Sequence, residues 1–97
     1  MERKKLSADE IEKHLAHIPG WEVTGDHLRK RFSFSNFAES LEFVNQVGEI
    51  AEASDHHPDI TFGWGYAEFA ITTHDRGGIT GADFDLAGKI DALSNKL

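Results

Sequence analysis

Cysteine is absent from this chain, so no disulfide can staple it and no thiolate can ligate a metal or attack a substrate. Long apolar runs are missing too. Nothing approaches the roughly 20 consecutive apolar residues of a membrane span, so no membrane partner is expected. Met1-Glu-Arg-Lys-Lys5 is not followed by the apolar stretch of a secretory signal, which makes the cytoplasm the expected compartment. Positive charge is scarce: 10 Lys and Arg against 17 Asp and Glu leave a net charge of −7. A nucleic-acid surface needs clustered basic residues to neutralise phosphates, so this balance argues against nucleic acid as a partner. The basic residues form two short groups, Arg3-Lys4-Lys5 and Arg29-Lys30-Arg31. The second is interleaved with Leu28 and Phe32 and reads as the solvated side of a strand. Repeats, linkers and low-complexity segments are also lacking, and the 97 residues read as one domain, 1–97.

What is present is ordinary globular patterning, with 39% hydrophobic residues. Ser7-Ala-Asp-Glu10 fits a capping box before Ile11, Leu15 and Ile18 at helical spacing, and Pro19-Gly20 stops that helix. Trp21 to Thr24 and His27 to Phe34 alternate as two strands, joined by Gly25-Asp26 with the glycine at the positive-φ position of a II′ turn. Ser35 or Asn36 caps a longer helix to about Ser54. Phe37, Leu41, Val44, Gly48 and Ala51 form one stripe on it, widened by Phe43, Val47 and Ile50. An arc that wide exceeds what one sheet covers, so this helix should also touch another helix or subunit. Ile60, Phe62 and Trp64 alternate as a third strand. In Tyr66 to Thr73, Ala67, Phe69 and Ile71 should be buried while Tyr66, Glu68 and Thr72 face the other way. Thr80-Gly-Ala-Asp83 caps a last helix with Leu86, Ile90, Leu93 and Leu97 as its inner stripe. The fold class is α+β: a four-stranded antiparallel sheet of two hairpins with three helices on one face, in the order α-β-β-α-β-β-α.

Three of the six histidines fall between Glu52 and Asp75. Glu52 precedes His56 by four residues at a helix end, spacing at which the carboxylate could bond the imidazole. His57 sits before Pro58, which holds it extended, so adjacent imidazoles diverge. His74 ends a strand, and Asp83 lies in the first turn of the last helix. Plainer roles stand beside these: a polar loop for His56 and His57, a helix cap for Asp83, packing for Trp64 and Tyr66. His14 and His17 share a helix face without a third ligand and read as surface; His27 reads as strand surface. Three imidazoles with carboxylates could hold zinc. They could equally move protons unaided, since an unperturbed histidine titrates at about 6.5. Spacing alone leaves the two open.

Glu52, three residues, His56-His57-Pro58, five residues, Trp64, nine residues, His74, eight residues and Asp83 resemble the signature of the pterin-4a-carbinolamine dehydratases. Ile71-Thr-Thr-His-Asp75, Gly77-Gly78 and Trp21 extend the likeness over almost the whole chain. One departure is Gly65-Tyr66, where many relatives carry an Asn-containing strand start. The resemblance implies that 4a-hydroxytetrahydropterin loses water to give quinonoid dihydropterin. An acid must protonate the leaving hydroxyl on C4a, and a base must take the N5 proton. It further implies His56 and His74 for proton transfer, His57 for binding the pterin, and Glu52 and Asp83 for orienting imidazoles, with Pro58 and Trp64 at the site. No metal and no other cofactor are expected. The expected partners are the pterin and further copies of the chain, as a homodimer or homotetramer. Family members in animals also stabilise a transcription factor's dimer, so a protein-binding role is the alternative, beside a histidine-ligated metal enzyme.

Overall fold

The computed structural model describes residues 4–96, and its elements begin where capping chemistry puts them. Ser7 Oγ accepts from the Glu10 N–H at 3.2 Å, and the Ser7 N–H donates to Glu10 Oε1 at 2.9 Å, opening α1 (Ala8–Leu15). The bond from the Ser7 backbone, then the one from its hydroxyl, holds the Glu10 carboxyl below its ordinary pKa. The helix stops a turn earlier than the expected Ile18. His17 and Ile18 donate instead to carbonyls three residues back, at 3.0 and 3.2 Å, which tightens the end into a turn.

β1 (Glu22–Thr24) and β2 (His27–Ser33) form the first hairpin, and Gly25 between them takes φ +59° as the tight turn requires. Asn36 Oδ1 accepts from the Glu39 N–H at 2.9 Å to cap α2 (Phe37–Ser54). β3 (Asp59–Gly63) and β4 (Tyr66–Ile71) make the second hairpin, a short 3₁₀ turn covers His74–Arg76, and α3 (Gly81–Ser94) closes the chain. The element order and antiparallel pairing are those expected. The sheet runs β1-β2-β4-β3, so the most apolar strand lies inside it. Ala67, Phe69 and Ile71 are fully buried, while Tyr66 and Glu68 keep partial exposure. The register of that strand is therefore as the alternation predicts.

The helices cover one sheet face, where Phe32, Phe43 and Phe69 pack with centroids 5.1 to 5.8 Å apart. On the opposite face Arg29 pairs with Glu68 at 3.0 Å and Arg31 stacks 4.1 Å over the Tyr66 ring. Three expectations need correction. Lys30 is not on the solvated side: alternation puts it inward with Leu28 and Phe32. There Nζ donates to Asp91 Oδ1 at 2.8 Å and to the Pro19 carbonyl at 3.2 Å, while the Trp21 indole N–H donates to the same carboxylate. The inward line of α2 runs through Ser40, Phe43, Val47 and Ala51, roughly a quarter turn from the expected Phe37–Leu41 stripe. Apolarity alone misplaced it because Ser40 belongs to the buried line, its hydroxyl donating to the Gly63 carbonyl at 2.7 Å. Trp64 is not in a strand. Gly63 and Tyr66 are the last pair, which leaves Trp64-Gly65 as the loop, with Gly65 at φ +81°.

Candidate active site

The site is built where four chain segments reach one end of the sheet. The pair Leu28↔Ile71 brings the start of β2 beside the end of β4. Asp59↔Ala70 brings the start of β3, with His57 and Pro58 just before it, to the same end from the other flank. His27, His57 and His74 thus share that end, and the N-terminus of α3 brings Asp83 to it.

How α2 ends decides where the two adjacent histidines go. Asp55 turns left-handed, at φ 51° and ψ 42°, and the chain reverses. The His56 N–H then donates to the Ala51 carbonyl at 3.2 Å, and the ring turns inward until 7% of the residue stays exposed. His57 turns outward. Glu52 consequently accepts from His57, not from His56: Nε2 donates to Oε1 at 2.5 Å on the surface. The expected i,i+4 pair needed the helix to run through His56, two residues past Ser54 where α2 ends.

His56 has a different carboxylate. Its Nε2 donates to Asp83 Oδ1 at 2.5 Å, and Asp83 is fully buried. The other oxygen, Oδ2, accepts from the Thr73 hydroxyl at 2.9 Å and from the Thr80 N–H at 2.7 Å. Thr73 Oγ1 and Thr80 Oγ1 lie 2.8 Å apart, and Thr80 Oγ1 accepts from the Ala82 N–H at 3.2 Å. The proton order follows. Thr73 gives its proton to Asp83, so Thr80 gives its own to Thr73. Asp83 accepts at both oxygens, which puts the His56 proton on Nε2. Every buried side-chain nitrogen and oxygen among the described residues has a partner. Burial of these hydroxyls and this carboxylate is tolerable only because the network is complete.

Thr73 also links this network to His74. Its backbone N–H donates to the Gly78 carbonyl at 3.2 Å and closes the loop carrying His74 at the surface. A fourth imidazole, His27, stands with its ring centroid 6.4 Å from that of His74, at 74° between planes. Sequence reasoning missed Thr73, Thr80 and His27. The Thr-Thr before His74 was visible, but the pairing of β2 with β4 that brings His27 near was not.

Trp64 is not brought to this cluster within one chain. It is 72% exposed on the β3–β4 loop, at the far end of β4 from Thr73, about 20 Å along the strand. A cavity of about 620 Å³ also lies elsewhere, walled by Phe34, Glu39, Phe43 and Ser94, with none of the predicted site residues on it. Among the described residues no three His, Asp or Glu side chains are arranged to hold a metal ion.

Residues 4–93 match the sequence pattern of the family described as Pterin 4 alpha carbinolamine dehydratase. The chain belongs to that family. A Rubrobacter xylanophilus protein assigned by name to pterin-4-alpha-carbinolamine dehydratase is 52% identical over 89 residues, 91% of this chain and 83% of that one. A Picosynechococcus protein of the same name is 45% identical over 92% of this chain and 97% of its own. Among solved structures, a transcriptional coactivator/pterin dehydratase from Brucella melitensis superposes with a TM-score of 0.89 at 26% identity, covering 93% of this chain and 98% of that one. A pterin dehydratase-like protein identified as a RuBisCO assembly factor in the alpha-carboxysome is more distant, at a TM-score of 0.62 and 26% identity over 75% of this chain and 84% of its own. Within this pterin carbinolamine dehydratase fold, the Asp83–His56 bond joins two residues of the signature that lie 27 positions apart.

Proposed function

We propose that the chain is a hydro-lyase that dehydrates 4a-hydroxytetrahydropterin to quinonoid dihydropterin and water. The Asp83–His56 couple, tied through Thr73 to the loop of His74, is the observation that carries this reading. A carboxylate bonded to one imidazole nitrogen selects the tautomer and leaves proton transfer to the rest of the ring. In the reaction the C4a–O bond breaks and the hydroxyl leaves with an added proton. The N5–H bond breaks, and its electron pair forms the C4a=N5 double bond. One proton is given and one is taken, so two histidines suffice. His74 and His56 serve these steps, and exposed His57, held by Glu52, binds and orients the pterin. Pro58 fixes the backbone after His57. The chemistry needs no metal, and elemental analysis tests that directly: stoichiometric zinc in the active protein would overturn it.

The test is a stopped assay following the loss of synthetic 4a-hydroxytetrahydropterin. Positioned acid–base groups are worth about 10² to 10⁴ in rate, so His56→Ala and His74→Ala should each lose turnover in that range. His57→Ala should raise KM more than it lowers kcat. Loss of substrate no faster with the wild-type chain than without it would sink the dehydratase reading.

A second reading concerns association. Phe37 and Leu41 on the outer side of α2 are 45% and 38% exposed, which favours a homodimer or homotetramer built through that helix.

A further inference from the structure

We propose that His27 is a positioning residue for His74: its imidazole sets the plane of the ring that transfers the proton. The inference rests on the dehydratase reading for its consequence, though not for the contact itself.

Backbone geometry on both sides is fixed. His27 heads β2, and continuing the Leu28↔Ile71 register by one residue sets it opposite Thr72. Position 74 is then its diagonal neighbour across the antiparallel pair, within reach of a ring. Thr72 Oγ1 donates to the Asp26 carbonyl at 2.5 Å and fastens the hairpin carrying His27 to the end of β4. The loop of His74 is fastened by the Thr73–Gly78 bridge and by the Gly77 N–H on the His74 carbonyl at 3.2 Å. The His74 side chain, by contrast, is exposed. Among the described residues its ring contact is with His27, edge to face, centroids 6.4 Å apart at 74°.

An exposed imidazole on a rigid loop still rotates about two side-chain bonds, and each misdirected rotamer is lost to catalysis. An edge-to-face ring contact biases such a choice by about 2- to 10-fold. His27 is half-buried, so its own ring is the better fixed of the two and can act as the reference surface. That arrangement would make His27 affect the rate constant of the chemical step and leave pterin binding nearly untouched.

The experiment compares the full-length wild type with His27→Ala, His27→Phe and, as a control on an exposed histidine away from the site, His17→Ala. Two readouts are taken: turnover of synthetic 4a-hydroxytetrahydropterin, and the carbon–proton NMR signals of the His74 ring without substrate. His27→Ala should lower kcat about 3- to 10-fold with KM within about twofold. It should also shift the His74 ring signals, which lose a neighbouring ring current. His27→Phe keeps a ring there and should recover most of both; His17→Ala should change neither. If His27→Ala does not fold, His27→Gln takes its place. Unmoved His74 signals in a folded variant would overturn the contact in solution. Unchanged kcat, or a rise in KM alone, would overturn the positioning role. If the wild type has no turnover, the dehydratase reading fails first and the positioning role fails with it, while the NMR signals still decide the ring contact.

Discussion

Asp83 caps a helix and holds an imidazole with the same carboxylate. From sequence these are alternatives, because a Thr-x-x-Asp box accounts for the residue by itself. The structure makes them compatible: Oδ2 accepts from the Thr80 N–H and the Thr73 hydroxyl, which frees Oδ1 for His56. Thr73, whose hydroxyl joins Asp83 to Thr80, is therefore a residue whose loss should be felt. Thr73→Val keeps the shape but removes the proton that Asp83 receives and the oxygen that Thr80 reaches. Buried groups left unpaired cost about 1 to 3 kcal/mol each. Urea unfolding should show a loss in that range for Thr73→Val and a much smaller one for Thr73→Ser. Equal stability of the two variants would mean that the hydroxyl bonds contribute little. Glu52 shows where local spacing misleads. Four residues suit an i,i+4 pair on a helix, yet a single left-handed residue, Asp55, hands the carboxylate to His57.

Elements were legible wherever the pattern carried its own punctuation. Ser7, Asn36 and Thr80 accept hydrogen bonds at the three helix starts because their side-chain oxygens compete for free N–H groups there. The Gly25-Asp26 turn was legible for a similar reason, and it offers a clean test. A Cβ at Gly25 would meet nothing within 4 Å, so substitution meets only the backbone penalty of φ +59°. Gly25→Ala should destabilise by about 1 kcal/mol, and Gly25→Asn by less, since Asn tolerates left-handed backbone. Thermal melts of both variants check the order. Element ends were less legible. Alternation carried Trp64 into a strand because nothing in Phe62-Gly-Trp-Gly65 says which glycine begins the turn. Only the cross-strand pair Gly63↔Tyr66 decides it.

At the scale of the molecule, one layer of helices covers one sheet face, and α2 is amphipathic over more of its circumference than that layer needs. Its outer stripe includes Phe37, 45% exposed and stacked on Phe62 at 5.7 Å, and Leu41, 38% exposed. Exposed apolar patches mark association surfaces, and most soluble oligomers are built from copies of one chain. Light scattering at micromolar concentration should give a multiple of the monomer mass, and Leu41→Glu should return it toward the monomer without unfolding it. A stable wild-type monomer would remove the proposal. The site lies at the other end of α2 from Phe37, so the Leu41→Glu chain should keep turnover if one chain's site suffices. The exposed place of Trp64, far along β4 from His74, sharpens that measurement.

The sequence by itself determined the class of fold, the order of its elements and the inward face of β4. Each of these follows from periods of two or 3.6 residues and from caps acting within a few positions. It also carried the spaced Glu, His, His, Pro, Trp, His and Asp of the family signature. Tertiary structure decided which strand lies beside which, and with that the partners of the site. Asp83 meets His56 because α3 starts where α2 ends. His27 meets His74 because β2 pairs with β4 between residues 41 and 43 positions apart in the chain, at Arg29↔Ala70 and Leu28↔Ile71. Such contacts depend on the whole sheet burying its most apolar strand in the middle, a global optimum that no local window contains.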